Sequence, residues 1–117
     1  LADQANDWDM WIRHARNGKL TFLDRDLIAY RMHDSNQSLN VDKMLRSELH
    51  IVERKLTAAD RPETMKSYSY MRYSTRAGDW KALGRAVRLN SSLVLRPRFY
   101  WNACLVALRR SKGRKKG

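Results

Sequence analysis

The sequence predicts a mainly α-helical protein, with two short N-terminal strands followed by a bundle of about four helices. Three observations predict it. From residue 40 onward, apolar side chains recur every three or four positions. Cap residues, glycines and prolines punctuate that pattern at intervals suited to helices. Only two short runs, residues 19–23 and 27–32, read as strands.

Residues 7–17 predict a short helix with Trp8, Trp11, Ile12 and Ala15 on one apolar face. Gly18 supplies its stop. The strand candidates KLTFL and LIAYRM follow, joined by a turn at Asp24-Arg25-Asp26, and residues 33–40 form a polar loop. Asn40 can cap a helix reaching Leu56, whose stripe is Val41, Leu45, Leu49, Val52 and Leu56. Asp60 and Glu63 suit a capping box for the next helix, residues 61–77, with Pro62 tolerated in its first turn. Gly78 stops that helix, and Asp79 caps another from Trp80 to Leu89. Trp80, Leu83 and Val87 supply its buried face, with Lys81, Arg85 and Arg88 opposite. Pro97 opens a last helix to about Arg110, and residues 111–117 are expected to be a disordered basic tail.

The chain has 117 residues and a mass of 13.8 kDa, room for one domain or a piece of a larger one. It starts at Leu1 rather than Met, which suggests a truncated or processed product, and nothing near the start resembles a signal peptide. A single cysteine, Cys104, excludes an internal disulfide framework. Three histidines and that cysteine are too few for the usual closed structural zinc site. No glycine-rich phosphate loop occurs. The charge is one-sided. Residues 1–60 carry net −1 (9 Lys/Arg against 10 Asp/Glu), and residues 61–117 carry net +13 (15 against 2). Such asymmetry suits a polyanionic partner or, more plainly, a solvated basic helical surface.

Residues 99–108, FYWNACLVAL, form an uncharged run too short for the roughly 20 residues of a bilayer span. The run fits a core helix closing the bundle. It also fits an interfacial helix with Tyr100 and Trp101 at headgroup depth. In that case Arg109, Arg110, Lys112, Arg114, Lys115 and Lys116 would lie on anionic lipid.

Residues 6–38 carry a more specific pattern. In order they hold Asn6-Asp7, Trp8 and Trp11 with Arg13, a helix ending in Gly18, Phe22-Leu23, Tyr30-Arg31-Met32-His33, and a serine-containing loop from Ser35 to Ser38. This resembles the C-terminal end of the catalytic domain of bacterial family 2 glycosyltransferases of the GT-A type. The resemblance implies that Asp7 is the general base of an inverting sugar transfer, taking the acceptor hydroxyl's proton. The glutamate usual before it is Asn6 here. Asp7 would equally suit a helix N-cap. By the same resemblance, Arg31 would stabilise the leaving diphosphate, and His33 would lie near the donor diphosphate or its metal. That metal would be a divalent magnesium or manganese ion in the parent enzyme, with none expected on the isolated chain. Trp8 and Trp11 would shape an acceptor pocket or pack the helix core. Asp24 and Asp26 spell a metal-binding pattern, but they fall at the turn and are read as turn residues.

The nucleotide-binding α/β half of such an enzyme is not among these residues. The chain is therefore expected to be the C-terminal segment of a longer glycosyltransferase, inactive alone. Residues 1–39 would end the catalytic domain, and residues 40–110 would form a basic helical extension. Residues 71–90 resemble a tetratricopeptide-type helical hairpin, with Ala-Gly-Asp-Trp at the turn and Ala82 and Ala86 as small packing residues. The hairpin as a whole spans residues 61–90. The implied partners are the remainder of the catalytic domain, a nucleotide-sugar, a glycan or lipid-linked acceptor, and an anionic membrane surface. The implied location is cytoplasmic, peripheral on the inner face of the plasma membrane. Two alternatives stand beside this reading: a non-catalytic helical interaction module, and a nucleic-acid-binding domain. No helix-turn-helix, zinc-finger or stacking-sheet motif supports the latter.

Overall fold

A computed structural model of the protein describes residues 6–19, 21–29, 31, 33, 36 and 39–114. Among the described residues, five helices run in chain order: α1 (Asn6–Asn17), α2 (Val41–Lys55), α3 (Pro62–Ala77), α4 (Trp80–Leu89) and α5 (Pro97–Arg114). Short 3-10 turns, Ala58–Asp60 and Ser91–Leu95, join α2 to α3 and α4 to α5. The fold is thus mainly helical.

The helix ends follow local chemistry. The Asn40 side chain accepts from the Lys43 N–H at 3.0 Å, and Asp79 accepts from the Lys81 N–H at 2.8 Å. Gly78 adopts φ +69°. A Cβ there would lie 3.3 Å from Cβ of Arg109, so glycine both permits the turn and lets α5 approach. Asp60 does not cap α3. Its carboxylate instead accepts from the N–H and the hydroxyl of Thr57, at 2.7 and 2.8 Å, and α3 starts after Arg61 at φ 52°.

Helix α3 is central, packed against α2, α4 and α5. Its buried residues are Ser67, Ser69 and Ser74. Small side chains let neighbouring helices come close. Ser67 and Ser74 satisfy their hydroxyls by donating to the carbonyls of Thr64 and Met71, both at 2.7 Å. The apolar core is Ile51 and Val52 of α2, Ala82, Leu83 and Ala86 of α4, Leu93 of the second turn, and Val106 of α5. The expected face of α2 is rotated. Ile51 and Glu48 are buried with Val52, while Val41, Leu45, Leu49 and Leu56 are half-buried. Trp80 is exposed, and Ala82 and Ala86 take the place expected for it and Val87. Lys81, Arg85 and Arg88 face solvent.

The two N-terminal strands are corrected. Among the described residues, neither 19–23 nor 27–32 forms a strand, although the chain does bend at Asp24. A strand of four or five residues is stabilised by ladder bonds and a covered face, not by its own propensity. No described element covers this segment: Phe22 is 85% exposed and Ile28 86%. The last helix is also longer than expected, reaching Arg114 instead of stopping near Arg110, and residues 115–117 lie outside the described residues.

Candidate functional site

Helix α1 docks on α2 chiefly through charge. Asp9 pairs with Lys55 at 3.3 Å across the two helices and with Arg13 at 3.3 Å along its own. Arg16 donates to the Lys55 carbonyl and to the Asp60 carboxylate, the latter at 2.8 Å. These contacts turn Trp8, Asp9 and Ile12 toward the bundle, and leave Trp11 (52% exposed) and Ala15 outside. Hydrogen bonds from the Thr57 backbone and hydroxyl, then the Arg16 guanidinium, hold the Asp60 carboxyl down to about 2, from an ordinary value of 3.8. A depressed carboxyl stabilises the fold above its unfolded value, and that contribution is lost as pH falls through the folded one. Docking of α1 is therefore expected to loosen as pH drops from 3.8 toward about 2. Tryptophan fluorescence should follow the change, and Asp60→Asn should weaken its pH dependence, with the Asp9–Lys55 pair supplying the rest. An unchanged acid transition in the variant would count against this clamp.

The docked Trp8 closes one side of a groove of about 500 Å³ between α1, α3, the Ser91–Leu95 turn and α5. Met65, Tyr68 and Met71 of α3, Leu93, and Phe99 of α5 supply its apolar lining. Three arginines, Arg72, Arg96 and Arg98, join that lining. The Arg72 guanidinium lies 5.0 Å from the Trp8 ring centroid and pairs with the buried Glu48 carboxylate. Arg96 lies 5.9 Å from the Tyr68 ring. Nearby ties brace the same helix pair. The Tyr73 hydroxyl donates to Asp42 at 2.7 Å, and that bond raises its pKa. Lys66 bridges Glu53 and Glu63, each at 3.4 Å. Desolvation pulls the Lys66 ammonium down, but the two carboxylates outweigh it and leave its pKa raised.

No protein-family model matches the sequence, and neither curated proteins nor solved structures yield a match.

Of the residues singled out from sequence, Asp7 lies inside the first turn of α1 rather than at an N-cap, exposed, its carboxylate accepting from the Trp8 N–H at 3.0 Å. Its charge there complements the helix N-terminus. Arg31 and His33 are exposed on the loop that follows. Asn36 organises that loop: its amide donates to the Arg31 carbonyl at 3.2 Å and its N–H to the His33 carbonyl at 3.0 Å. Trp8 thus enters the groove, while Trp11, Arg31 and His33 do not line it. Tyr30, Met32, Asp34, Ser35 and Ser38 lie outside the described residues. Among the described residues, no three His, Cys, Asp or Glu side chains gather to hold a metal ion. His33 alone would supply one imidazole donor.

On α5, Trp101 is 67% exposed, with Tyr100, Cys104 and Leu108 also exposed. The one buried apolar residue of its 99–108 run is Val106. Arg109 donates to the Arg76 carbonyl, and Arg110 faces solvent. Lys112 and Arg114 fall on the last turn of α5, and Lys115 and Lys116 lie outside the described residues. No described helix is long and apolar enough to cross a membrane.

The groove arginines Arg72, Arg96 and Arg98 were not legible as a site from sequence. The available signal was the interleaving of aromatic and basic residues in YSYMRYSTR (68–76) and RPRFYW (96–101).

Proposed function

We propose that the chain is the C-terminal region of an inverting glycosyltransferase that moves a sugar from a nucleotide-sugar to a glycan or lipid-linked acceptor. The observation that carries the reading is the ordered motif Asn6-Asp7-Trp8 through Gly18 to Tyr30-Arg31-Met32-His33. The exposed apolar segment holding Phe22, Leu23, Leu27 and Ile28 supports it. The remainder of a larger α/β domain packed on this segment would cover those side chains.

In the proposed reaction the acceptor oxygen bonds to the anomeric carbon as the bond from that carbon to the nucleotide diphosphate breaks. Asp7 takes the acceptor proton. Its exposure on the first turn of α1 leaves the carboxylate open to an acceptor hydroxyl. Arg31 would offset charge on the departing diphosphate. A divalent ion, when bound, would neutralise further diphosphate charge, with His33 as one ligand and the rest from the remainder of the enzyme. On this reading the isolated chain is inactive. An antibody raised to residues 61–90 should detect, in source cells, a species much heavier than 13.8 kDa. A native species of that smaller mass would overturn the reading, and the α3–α4 hairpin would favour a helical interaction module instead.

The basic helical part would hold the enzyme at the cytoplasmic membrane face. Exposed Tyr100, Trp101 and Leu108 on α5, with Arg98 and Arg110 beside them, suit an interfacial helix on anionic lipid. The chain is expected to co-sediment with vesicles containing phosphatidylserine and not with purely phosphatidylcholine vesicles, and Trp101→Ala should weaken that binding. Equal binding to both, or to neither, would sink the membrane assignment.

A further inference from the structure

The groove beside α1 has a composition that the proposed reaction does not require. Its apolar lining comes from Met65, Met71, Leu93 and Phe99, with the Trp8 and Tyr68 rings. Among the described residues, no carboxylate, amide or aliphatic hydroxyl side chain lines it. It therefore offers little to read the hydroxyls of a sugar or the edge of a base. A saturated or branched hydrocarbon chain asks for no such partner, and methionine thioethers adapt to its shape. The volume, about 500 Å³, lies in the range of small-ligand sites.

The polar component is three guanidinium groups. Glu48 balances Arg72, which leaves the charges of Arg96 and Arg98 for an anion. The Tyr68 ring braces Arg96. A planar guanidinium fork matches a phosphate better than a point charge does. The groove wall is also continuous with the exposed face of α5. Phe99 packs edge-on against Tyr100 at 5.6 Å, and Leu95 and Trp101 are exposed nearby in the chain.

From this juxtaposition we infer that the groove binds the phosphate head and adjoining hydrocarbon of a single membrane lipid phosphate, an inference that rests on the membrane-docking reading for the source of the ligand. Phosphate sits between Arg96 and Arg98, and the chain runs over Met65 and Met71. A lipid so held would lie against Trp8, the residue next to Asp7.

The test uses the full chain and monomeric decyl phosphate, read by calorimetry and tryptophan emission. Decyl phosphate should bind saturably with a blue shift that disappears in Trp8→Phe. Decyl maltoside and inorganic phosphate should not saturate over the same range. Arg96→Gln with Arg98→Gln should weaken binding about tenfold or more, as expected for losing charge-assisted bonds. Met71→Trp, which fills the groove, should abolish binding while the helical circular dichroism and the melting curve persist. Equal affinity for decyl maltoside would reduce the groove to a plain apolar patch. Tighter binding of uridine diphosphate would make it a nucleotide site, and an unchanged Kd in the double-arginine variant would remove the phosphate contact; each overturns the inference. Trp101→Ala separates the two readings. It should reduce binding to phosphatidic acid vesicles and leave decyl phosphate affinity intact, so loss of vesicle docking alone does not touch the groove.

Discussion

On the proposed glycosyltransferase reading, Asp7→Asn in the full-length protein is expected to lower kcat for sugar transfer about 100- to 10,000-fold, the usual worth of a general base. The substitution is informative because it can keep the helix contact of this residue while removing its proposed role as a base. The Asp7 carboxylate accepts from the Trp8 N–H, and an asparagine amide oxygen can accept the same bond. What is lost is the charge at the helix N-terminus, which costs under about 1 kcal/mol at an exposed site. Helix α1 should therefore stay docked, with Trp8 still in the groove, while transfer fails. Donor binding should be little changed, because the proposed base would meet the acceptor. Asp9→Asn is the matching control. Asp9 holds Lys55 and Arg13, so its loss should loosen α1 with no direct loss of a base. Retained transfer in Asp7→Asn, measured with radiolabelled donor, would end the catalytic assignment.

Leu93→Ala should have the largest effect on stability, about 2–5 kcal/mol. Leu93 is 1% exposed, in the turn packed against both α4 and α5. The rest of the buried apolar core is small: Ile51, Val52, Ala82, Leu83, Ala86 and Val106. In so small a core the neighbours have little freedom to collapse into the space left behind. Domains of this size are stable by about 5–15 kcal/mol in total, so the change removes a large share. The melting temperature should fall by roughly 10–25 °C, followed by circular dichroism. Leu95, two residues on and 82% exposed, supplies the contrast. Leu95→Ala should stay within about 0.5 kcal/mol of the parent. Equal losses at both positions would contradict the described path of this turn.

The helix ends were the most legible feature. Asn40, Gly78, Asp79 and Pro97 each act on backbone groups within a few residues, so their effect does not wait for the rest of the chain. The central position of α3 was not legible. Its buried residues are serines, and a scan for apolar periodicity passes over them. The burial of Glu48 was not legible either. A glutamate reads as surface, but Arg72 from the neighbouring helix pairs with it and permits its burial. Asp60 looked like a cap for the helix after it, yet Thr57 before it and Arg16 from α1 both donate to its Oδ2.

The candidate site divides along the same line. Asp7 and Trp8 were named from an ordered local motif, and α1 does form there. The groove that Trp8 closes draws on residues 65–72 and 93–99, far from it in sequence, so no local pattern announces it. The short strands failed as expectations because a strand is completed by its neighbours. By itself, then, the sequence determined most helix boundaries and where the positive charge lies. Only the tertiary structure decided which face of each helix is buried, which charges are paired, and that Trp8, Tyr68, Phe99 and three arginines share one groove. Capping and charge are properties of neighbouring residues, whereas burial and grooves are properties of surfaces that meet only when distant segments pack.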